Sequence, residues 1–142
     1  MSDGIRILVL DDDEARHERF RAFLLGANAD HVYTAAQARD RLRGARYDLV
    51  CLDHDLDLAA ASGAEPEEET GADVAEYIAL HLPRENAPTV ALVHSCNPAG
   101  AQRMRELLIS AGIDVAVKPF GASMGPVLAY LCKRAARARE AR

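Results

Sequence analysis

The hydrophobic positions of this chain form short apolar runs that alternate with longer stretches of helical spacing. Short apolar runs predict buried strands, whereas apolar residues three and four positions apart predict helices that bury one face. The pattern predicts strands over 5–10, 30–33, 47–52, 89–93 and 113–117. It predicts helices over 14–25, 35–43, 71–82, 97–111 and 123–139. Each strand is followed by a helix, which indicates an α/β domain with a parallel sheet.

Four of the predicted strands run directly into charged or polar side chains. These side chains lie in Asp11-Asp12-Asp13, Asp53-His54-Asp55, His94-Ser95-Cys96-Asn97 and Lys118-Pro119-Phe120. Ligands bind outside the carboxyl ends of the strands in an open parallel sheet, so we expect one shared site there. Carboxylates suit a divalent cation, while a hydroxyl and a lysine suit a phosphoryl group.

Composition narrows the class of protein. The chain has 142 residues, is 49% hydrophobic and carries a net charge of -5. We therefore expect a single domain over residues 1–142, without the basic face that strong non-specific nucleic-acid binding needs. No apolar run approaches the ~20 residues that span a bilayer, so we expect no membrane partner. The three cysteines lack metal-ligand spacing and no signal peptide precedes the first strand, which favours a cytoplasmic protein.

One segment does not fit the alternation of strands and helices. Residues 56–70 are polar and acidic, with Glu65, Glu67, Glu68 and Glu69 close together. We expect a long surface loop beside the proposed site, because such a sequence cannot bury enough apolar area to pack. It is either a plain insertion or a lid over the site.

The residues at the strand ends resemble those of response-regulator receiver domains over nearly the whole chain. They are Asp11-Asp12, Asp53, Ser95 and Lys118-Pro119-Phe120. The resemblance implies a flavodoxin-like (CheY-like) three-layer sandwich, with five helices around a five-stranded parallel sheet of order 2-1-3-4-5. It also implies that the acidic pair binds Mg²⁺ or Mn²⁺ and that Asp53 accepts a phosphoryl group. Ser95 and Lys118 would then contact that group.

Two motifs depart from ordinary receivers and are similar to a divergent group, the cyclic-phosphate processing receiver domains. They are Leu52-Asp53-His54-Asp55-Leu56 and His94-Ser95-Cys96-Asn97-Pro98-Ala99-Gly100. Two further positions also depart: Val115 replaces the usual aromatic switch residue, and the glycine expected soon after Asp53 comes only at Gly71. The resemblance implies processing of a cyclic phosphate on a nucleotide or a nucleic-acid end.

Two histidines are the unusual part of this site. Opening a cyclic phosphate requires a base that activates water and an acid that protonates the leaving oxygen, and imidazole can do either. His54 and His94 are the candidates. Their structural alternatives are an exposed residue at the mouth of the site and a strand-end residue hydrogen-bonded to backbone. His17, His31 and His81 have no such context and are predicted to lie on the surface.

Other site residues also have more than one interpretation. Asp53 is either a nucleophile or only a metal ligand beside Asp11 and Asp12, and Asp55 can lend its backbone carbonyl to the metal. Asn97 followed by proline favours a helix cap, and the alternative is a direct contact with the phosphate. Asp13 is expected to cap the first helix.

Three functional hypotheses follow. The first is a metal-dependent phosphoesterase that acts on a small cyclic phosphate or a nucleic-acid end, with Asp53, His54, His94 and Lys118 as catalytic residues. Ser95, Asn97 and Lys118 would bind the phosphate. The second is a stand-alone receiver phosphorylated on Asp53 by a histidine kinase, and the third is an inactive adaptor that keeps the fold.

Overall fold

The computed structural model describes residues 4–56, 69–121 and 123–141. Its strands are β1 (Arg6–Leu10), β2 (Asn28–Val32), β3 (Leu49–Leu52), β4 (Val90–Val93) and β5 (Asp114–Val117). They form one parallel sheet of order β2-β1-β3-β4-β5. The helices are α1 (Glu14–Phe23), α2 (Ala35–Gly44), α3 (Gly71–Leu80), α4 (Pro98–Ser110) and α5 (Met124–Glu140). This topology confirms the predicted flavodoxin-like fold.

Helices cover both faces of the sheet because strand side chains alternate between the two faces. Leu8 and Leu10 of β1 pack with residues of α2, α3 and α4. Ile7 and Val9 pack on the other face with residues of α1 and α5. All four side chains are fully buried, and each such burial contributes about 1.5–3 kcal/mol. The two cores make the central strands rigid, which holds the residues at the strand ends in place.

Side-chain caps begin four of the helices close to the carboxyl edge of the sheet. Asp13 caps α1 and Asn97 caps α4, as predicted, and Thr34 caps α2. Thr70 caps α3 and forms a capping box with Asp73. Each cap satisfies backbone N–H groups that have no partner in the helix and contributes about 1 kcal/mol. The caps therefore fix where the chain turns from strand into helix.

The observed element bounds differ from the predicted ones by at most two residues. The strand β2 begins at Asn28 rather than Asp30, because the whole of β1 pairs with it, from Arg6 with Asn28 to Leu10 with Val32. The helix α3 ends at Leu80 rather than Leu82, although Leu82 is still buried against the core. Tertiary pairing and packing set these ends.

The predicted loop over 56–70 falls largely on residues 57–68, which lie outside the described residues. The chain on its two sides meets at the site, where Gly71 N–H donates to the His54 carbonyl at 2.9 Å. A Cβ at Gly71 would lie 1.8 Å from the Asp53 carbonyl oxygen, so only glycine lets α3 begin here. Within the described residues, no helix is long and apolar enough to cross a membrane.

Candidate functional site

The structure brings three of the predicted metal ligands together at the carboxyl edge of the sheet. Asp11 and Asp12 follow β1, Asp53 follows β3, and one carboxylate oxygen of each lies within 4.8 Å of the others. Asp11 is fully buried and Asp53 is 6% exposed. Three carboxylate oxygens in this arrangement fit part of the oxygen shell that Mg²⁺ prefers.

An arginine that the sequence interpretation did not single out lies among these carboxylates. The Arg16 guanidinium donates from Nε and Nη2 to both oxygens of Asp11, each at 2.8 Å. Its Nη2 also lies 3.3 Å from Asp12 Oδ1 and 3.4 Å from Asp53 Oδ2. Arg16 lies four residues after Asp12 on the first turn of α1, and this i,i+4 spacing is a sequence feature that could have identified the ion pair.

The two buried carboxyl groups have pKa values shifted in opposite directions. Burial raises the pKa of Asp53 to about 7, and the neighbouring Asp11 charge adds to this effect. Burial also acts to raise the pKa of Asp11, but hydrogen bonds from His94 and Arg16 outweigh it and hold the pKa well below its usual range. Asp11 is therefore the ionised member that anchors the cluster.

His94 lies on the inner wall of the site, 2% exposed, with its ring between Phe20 and Phe120. Its Nε2 lies 3.1 Å from Asp11 Oδ2, so the hydrogen bond joins a carboxylate rather than the backbone. Burial lowers the pKa of His94, which favours a neutral ring with its proton on Nε2. Nδ1 is buried without a hydrogen-bond partner among the described residues. His94 is thus placed to orient Asp11.

His54 directly follows Asp53 and joins the two histidine motifs, but it is not among the residues that line the site cavity. Its backbone N–H donates to Asp53 Oδ1 at 2.9 Å, and its ring Nδ1 lies 2.8 Å from Asp55 Oδ1. A Cβ at Gly100 would lie 2.4 to 2.6 Å from three atoms of its ring. The second motif therefore requires glycine at this position in order to accommodate His54 of the first.

Asn97 and Asp55 hold the same junction together. Asn97 Oδ1 accepts the Gly100 N–H at 3.0 Å, which confirms its role as a cap. Its Nδ2 lies 3.4 Å from His54 Nδ1 and 3.5 Å from Asp55 Oδ1. Asp55 is exposed and uses its side chain here, so its predicted metal contact through the backbone carbonyl stays a prediction.

Ser95 and Lys118, the predicted phosphate ligands, lie beside the acidic cluster rather than in it. The buried Ser95 Oγ accepts the Asn97 N–H at 2.9 Å, and Ser95 lines a neighbouring groove with Val117 and Pro119. The Lys118 backbone N–H donates to the Val93 carbonyl at 2.9 Å. In the described part of the chain, Lys118 forms no ion pair with a carboxylate. Their phosphate contacts stay predictions.

The expectation that His17 lies on the surface is wrong. It is fully buried, its Nε2 lies 2.8 Å from the Asp11 carbonyl oxygen, and its Nδ1 lies 2.6 Å from His31 Nδ1. His31 is partly buried, and burial together with His17 lowers its pKa to about 4. His81 is exposed, as predicted. The spacing of His17 three residues before buried Phe20 indicated its inward face.

The site opens into a cavity of about 230 Å³. Its lining residues are Asp12, Arg16, Asp53, Asp55, His94, Cys96 and Phe120. This is smaller than the 300–1,000 Å³ typical of pockets for drug-sized ligands. The cavity therefore suits a phosphoryl group and its immediate neighbours better than a whole large ligand.

Comparison with known families places this site in context. The family model of the cyclic-phosphate processing receiver domain matches residues 6–110. The chain belongs to this family. The matched region includes the acidic pair, Asp53 and both histidine motifs, and it ends before Lys118. No curated protein matches the chain.

Solved structures of receiver domains share the fold of this cyclic-phosphate processing receiver. A signal receiver domain of an HD domain-containing protein from Pseudomonas fluorescens Pf-5 is similar, with a TM-score of 0.69, 19% identity and coverage of 97% and 98% of the two chains. A CheY-like response regulator receiver domain from Methanospirillum hungatei JF-1 gives a TM-score of 0.67, 19% identity and 96% coverage of each chain.

A third similar structure was solved with a metal ion. It is the receiver domain of a sensor histidine kinase from Pseudomonas aeruginosa PAO1, with magnesium coordinated in its active-site cleft. The TM-score is 0.64 and the identity 23%, over 94% of this chain and 98% of that one. At these identities the likeness establishes the fold. The acidic cluster described above lies at the carboxyl edge of that fold.

Proposed function

We propose that this chain carries out metal-assisted phosphoester chemistry on a small cyclic phosphate at the carboxyl edge of its sheet. The main supporting observation is the convergence of Asp11, Asp12 and Asp53 beside an open cavity that Asp12 and Asp53 line, with the two histidine motifs packed around them. When bound, Mg²⁺ would stabilise negative charge on the phosphoryl oxygens. Asp11, Asp12 and Asp53 would hold the ion through carboxylate oxygens.

His54 is the histidine that we assign to proton transfer. Its side chain is 17% exposed and it directly follows Asp53, whereas His94 lines the cavity but is buried against Asp11. In the proposed hydrolysis, the oxygen of water bonds to phosphorus and one ester P–O bond of the ring breaks. His54 accepts the proton of the water, and the departing oxygen takes up a proton, so that one water is consumed. His94 serves as a positioning residue for Asp11.

Turnover of cyclic phosphates tests this proposal directly. The panel would hold 2′,3′- and 3′,5′-cyclic nucleotides and RNA with 2′,3′-cyclic ends, each assayed with Mg²⁺, with Mn²⁺ and with EDTA. Loss of an acid–base residue costs about 10²–10⁴-fold, so we expect at least a hundredfold loss in His54→Gln. The matched control is His81→Gln, since His81 is an exposed histidine outside the site. Wild-type turnover in His54→Gln would remove the proposed role of His54.

A second function is favoured by the position of Asp53 itself. Its carboxylate lies on the cavity wall at the end of β3, with Oδ1 bound to the His54 N–H and Oδ2 directed at Arg16. We infer that Asp53 can act as a phosphoacceptor, with a histidine kinase as the donor protein. Exposure to acetyl phosphate and Mg²⁺ should then give an acid-stable, base-labile label that Asp53→Asn does not acquire. The absence of both the label and turnover would favour the inactive adaptor.

A further inference from the structure

The Arg16 guanidinium lies at the position where a metal ion would contact the acidic cluster. Its Nη2 lies within 3.4 Å of an oxygen from each of Asp11, Asp12 and Asp53, the three carboxylates that form the cluster. A guanidinium is a permanent cation. It therefore already supplies positive charge at the point where three negative side chains converge.

The guanidinium and a divalent ion cannot share this position. A Mg²⁺ bound to these oxygens at 2.0–2.1 Å would lie within a few ångströms of Nη2. Two positive charges at that separation repel strongly in a partly buried site, and an N–H group cannot ligate a cation. A divalent ion can use the full set of carboxylates only after the guanidinium moves.

The side chain has room to move. Arg16 is 34% exposed, and its guanidinium is already attached at its outer side to Asp13, with Nη1 3.4 Å from Asp13 Oδ2. Asp13 is 43% exposed, more than the Asp11, Asp12 and Asp53 side chains. An outward rotation of the guanidinium therefore gives up the three inner carboxylates and keeps the more exposed Asp13 as a partner.

We propose that Arg16 is a resident cation that a divalent ion displaces from the acidic cluster, and that the displaced guanidinium then binds the phosphoryl group. The planar fork of arginine matches phosphate oxygens with two parallel hydrogen bonds. Arg16 lines the cavity, whereas Lys118 is not among its lining residues. This inference rests on the proposed metal site and specifies how that site is controlled.

Binding of Mn²⁺ measured by EPR tests the displacement without an activity assay, because free and bound Mn²⁺ give different signals. Wild type would be compared with Arg16→Met and with the control Arg103→Met. Arg103 is an exposed arginine of α4, 3.9 Å from Glu76. We expect Arg16→Met to bind Mn²⁺ at least tenfold more tightly than wild type, and Arg103→Met to equal wild type.

Inorganic phosphate tests the second half of the proposal. Phosphate should tighten Mn²⁺ binding by wild type, and this enhancement should disappear in Arg16→Met. Retention of the full enhancement in Arg16→Met would overturn the assignment of Arg16 as the phosphate ligand. Equal or weaker Mn²⁺ binding in Arg16→Met without phosphate would overturn the displacement.

Two further results separate the possible failures. If neither wild type nor Arg16→Met binds Mn²⁺, the metal site itself is absent, and the proposed function fails together with this inference. If Arg16→Met does not fold in EDTA, circular dichroism with Mn²⁺ should show recovery of the fold, and Arg16→Gln replaces it in the titration. Glutamine keeps an N–H donor but carries no positive charge, so we expect Mn²⁺ binding tighter than wild type; equal binding overturns the proposal.

Discussion

The two edges of the sheet each contain a fully buried aspartate, but they balance its charge in opposite ways. At the amino edge, just before β3, Asp48 accepts the Arg6 backbone N–H at 2.9 Å. It also pairs with Arg46 at 3.0 Å and with Arg139 at 3.2 Å. One carboxylate is thus held by two guanidinium groups and an amide.

At the carboxyl edge the ratio of carboxylates to guanidinium groups is reversed. Asp11 is equally buried, yet it shares the single Arg16 guanidinium with Asp12 and Asp53. The surplus of negative charge there raises the pKa of Asp53, in addition to the larger effect of burial. A buried carboxylate stabilises the fold where arginines neutralise its charge, as at Asp48. Where carboxylates outnumber the arginine they contact, as at Asp11, Asp12 and Asp53, they can bind a further cation.

The largest change in stability should come from a substitution at the amino edge. We expect Asp48→Ala to lower the free energy of unfolding by about 3–5 kcal/mol, because it leaves the Arg6 N–H and two guanidinium groups without their acceptor. Urea denaturation would measure the loss, and Mn²⁺ affinity of the folded variant should stay at the wild-type value. A loss below about 1 kcal/mol would contradict the structural role of this edge.

At the carboxyl edge, removing a carboxylate should stabilise the protein. Below about pH 4 the folded and unfolded states both keep the Asp53 proton. As the pH rises from 4 to 7, the unfolded state ionises while the folded state, with its pKa near 7, keeps the proton, so stability falls. Above pH 7 both states are ionised and the full penalty remains.

Asp53→Asn removes this penalty. In EDTA at pH 8 we expect the variant to exceed wild type by about 2–4 kcal/mol, with the difference vanishing near pH 4. Urea midpoints across this range would measure it. Addition of Mg²⁺ should stabilise wild type more than the variant. A variant that is less stable than wild type at pH 8 would contradict the excess of negative charge at this edge.

A methyl group added at each edge gives an intermediate effect. Gly100→Ala places a Cβ against the His54 ring, so we expect a loss of about 1–3 kcal/mol and a loss of turnover that matches His54→Gln. Gly44→Ala is the control at the amino edge, where a Cβ meets nothing within 4 Å. Thermal unfolding and the cyclic-phosphate assay would compare them. Equal stability of both variants would remove the proposed packing of the two motifs.

The smallest expected change in stability concerns His31, which contacts His17 behind the site. Burial lowers the pKa of His31 to about 4, so between about pH 4 and 6.5 the unfolded state binds the proton more readily and stability rises with pH. His31→Gln should flatten this rise by about 1 kcal/mol at most, since the side chain is partly exposed to screening solvent. Melting curves at pH 4.5 and 7 would measure it. An unchanged rise in the variant would assign the effect to other groups.

Local features explain the sequence predictions that succeeded. The caps Asp13, Thr34 and Asn97 act within three residues of their own position, so their residue types alone indicate the helix starts. The apolar runs of β1 and β3 are buried on both faces, and such continuous runs are typical of central parallel strands. The gathering of Asp11, Asp12 and Asp53 followed from strand order, because parallel strands end at the same edge.

The details of the site could not be predicted in the same way. His17 was expected on the surface because it belongs to no site motif, yet its spacing to Phe20 places it on the buried face of α1. The i,i+4 spacing indicates the pairing of Arg16 with Asp12, but it does not indicate the contact with Asp53, which lies 37 positions away along the chain. Only the packing of α1 on the sheet directs that side chain into the cluster.

The amino-acid sequence by itself determined the order of strands and helices, the parallel sheet, the family and the edge at which the chemical groups collect. These depend on apolar period, caps and short motifs, which are local. Tertiary structure alone decided that Arg16 occupies the acidic cluster, that His94 binds Asp11 across 83 positions, and that Asn97 reaches His54 across 43. Such contacts depend on register and packing over the whole domain, and the free energy that selects them belongs to no single segment.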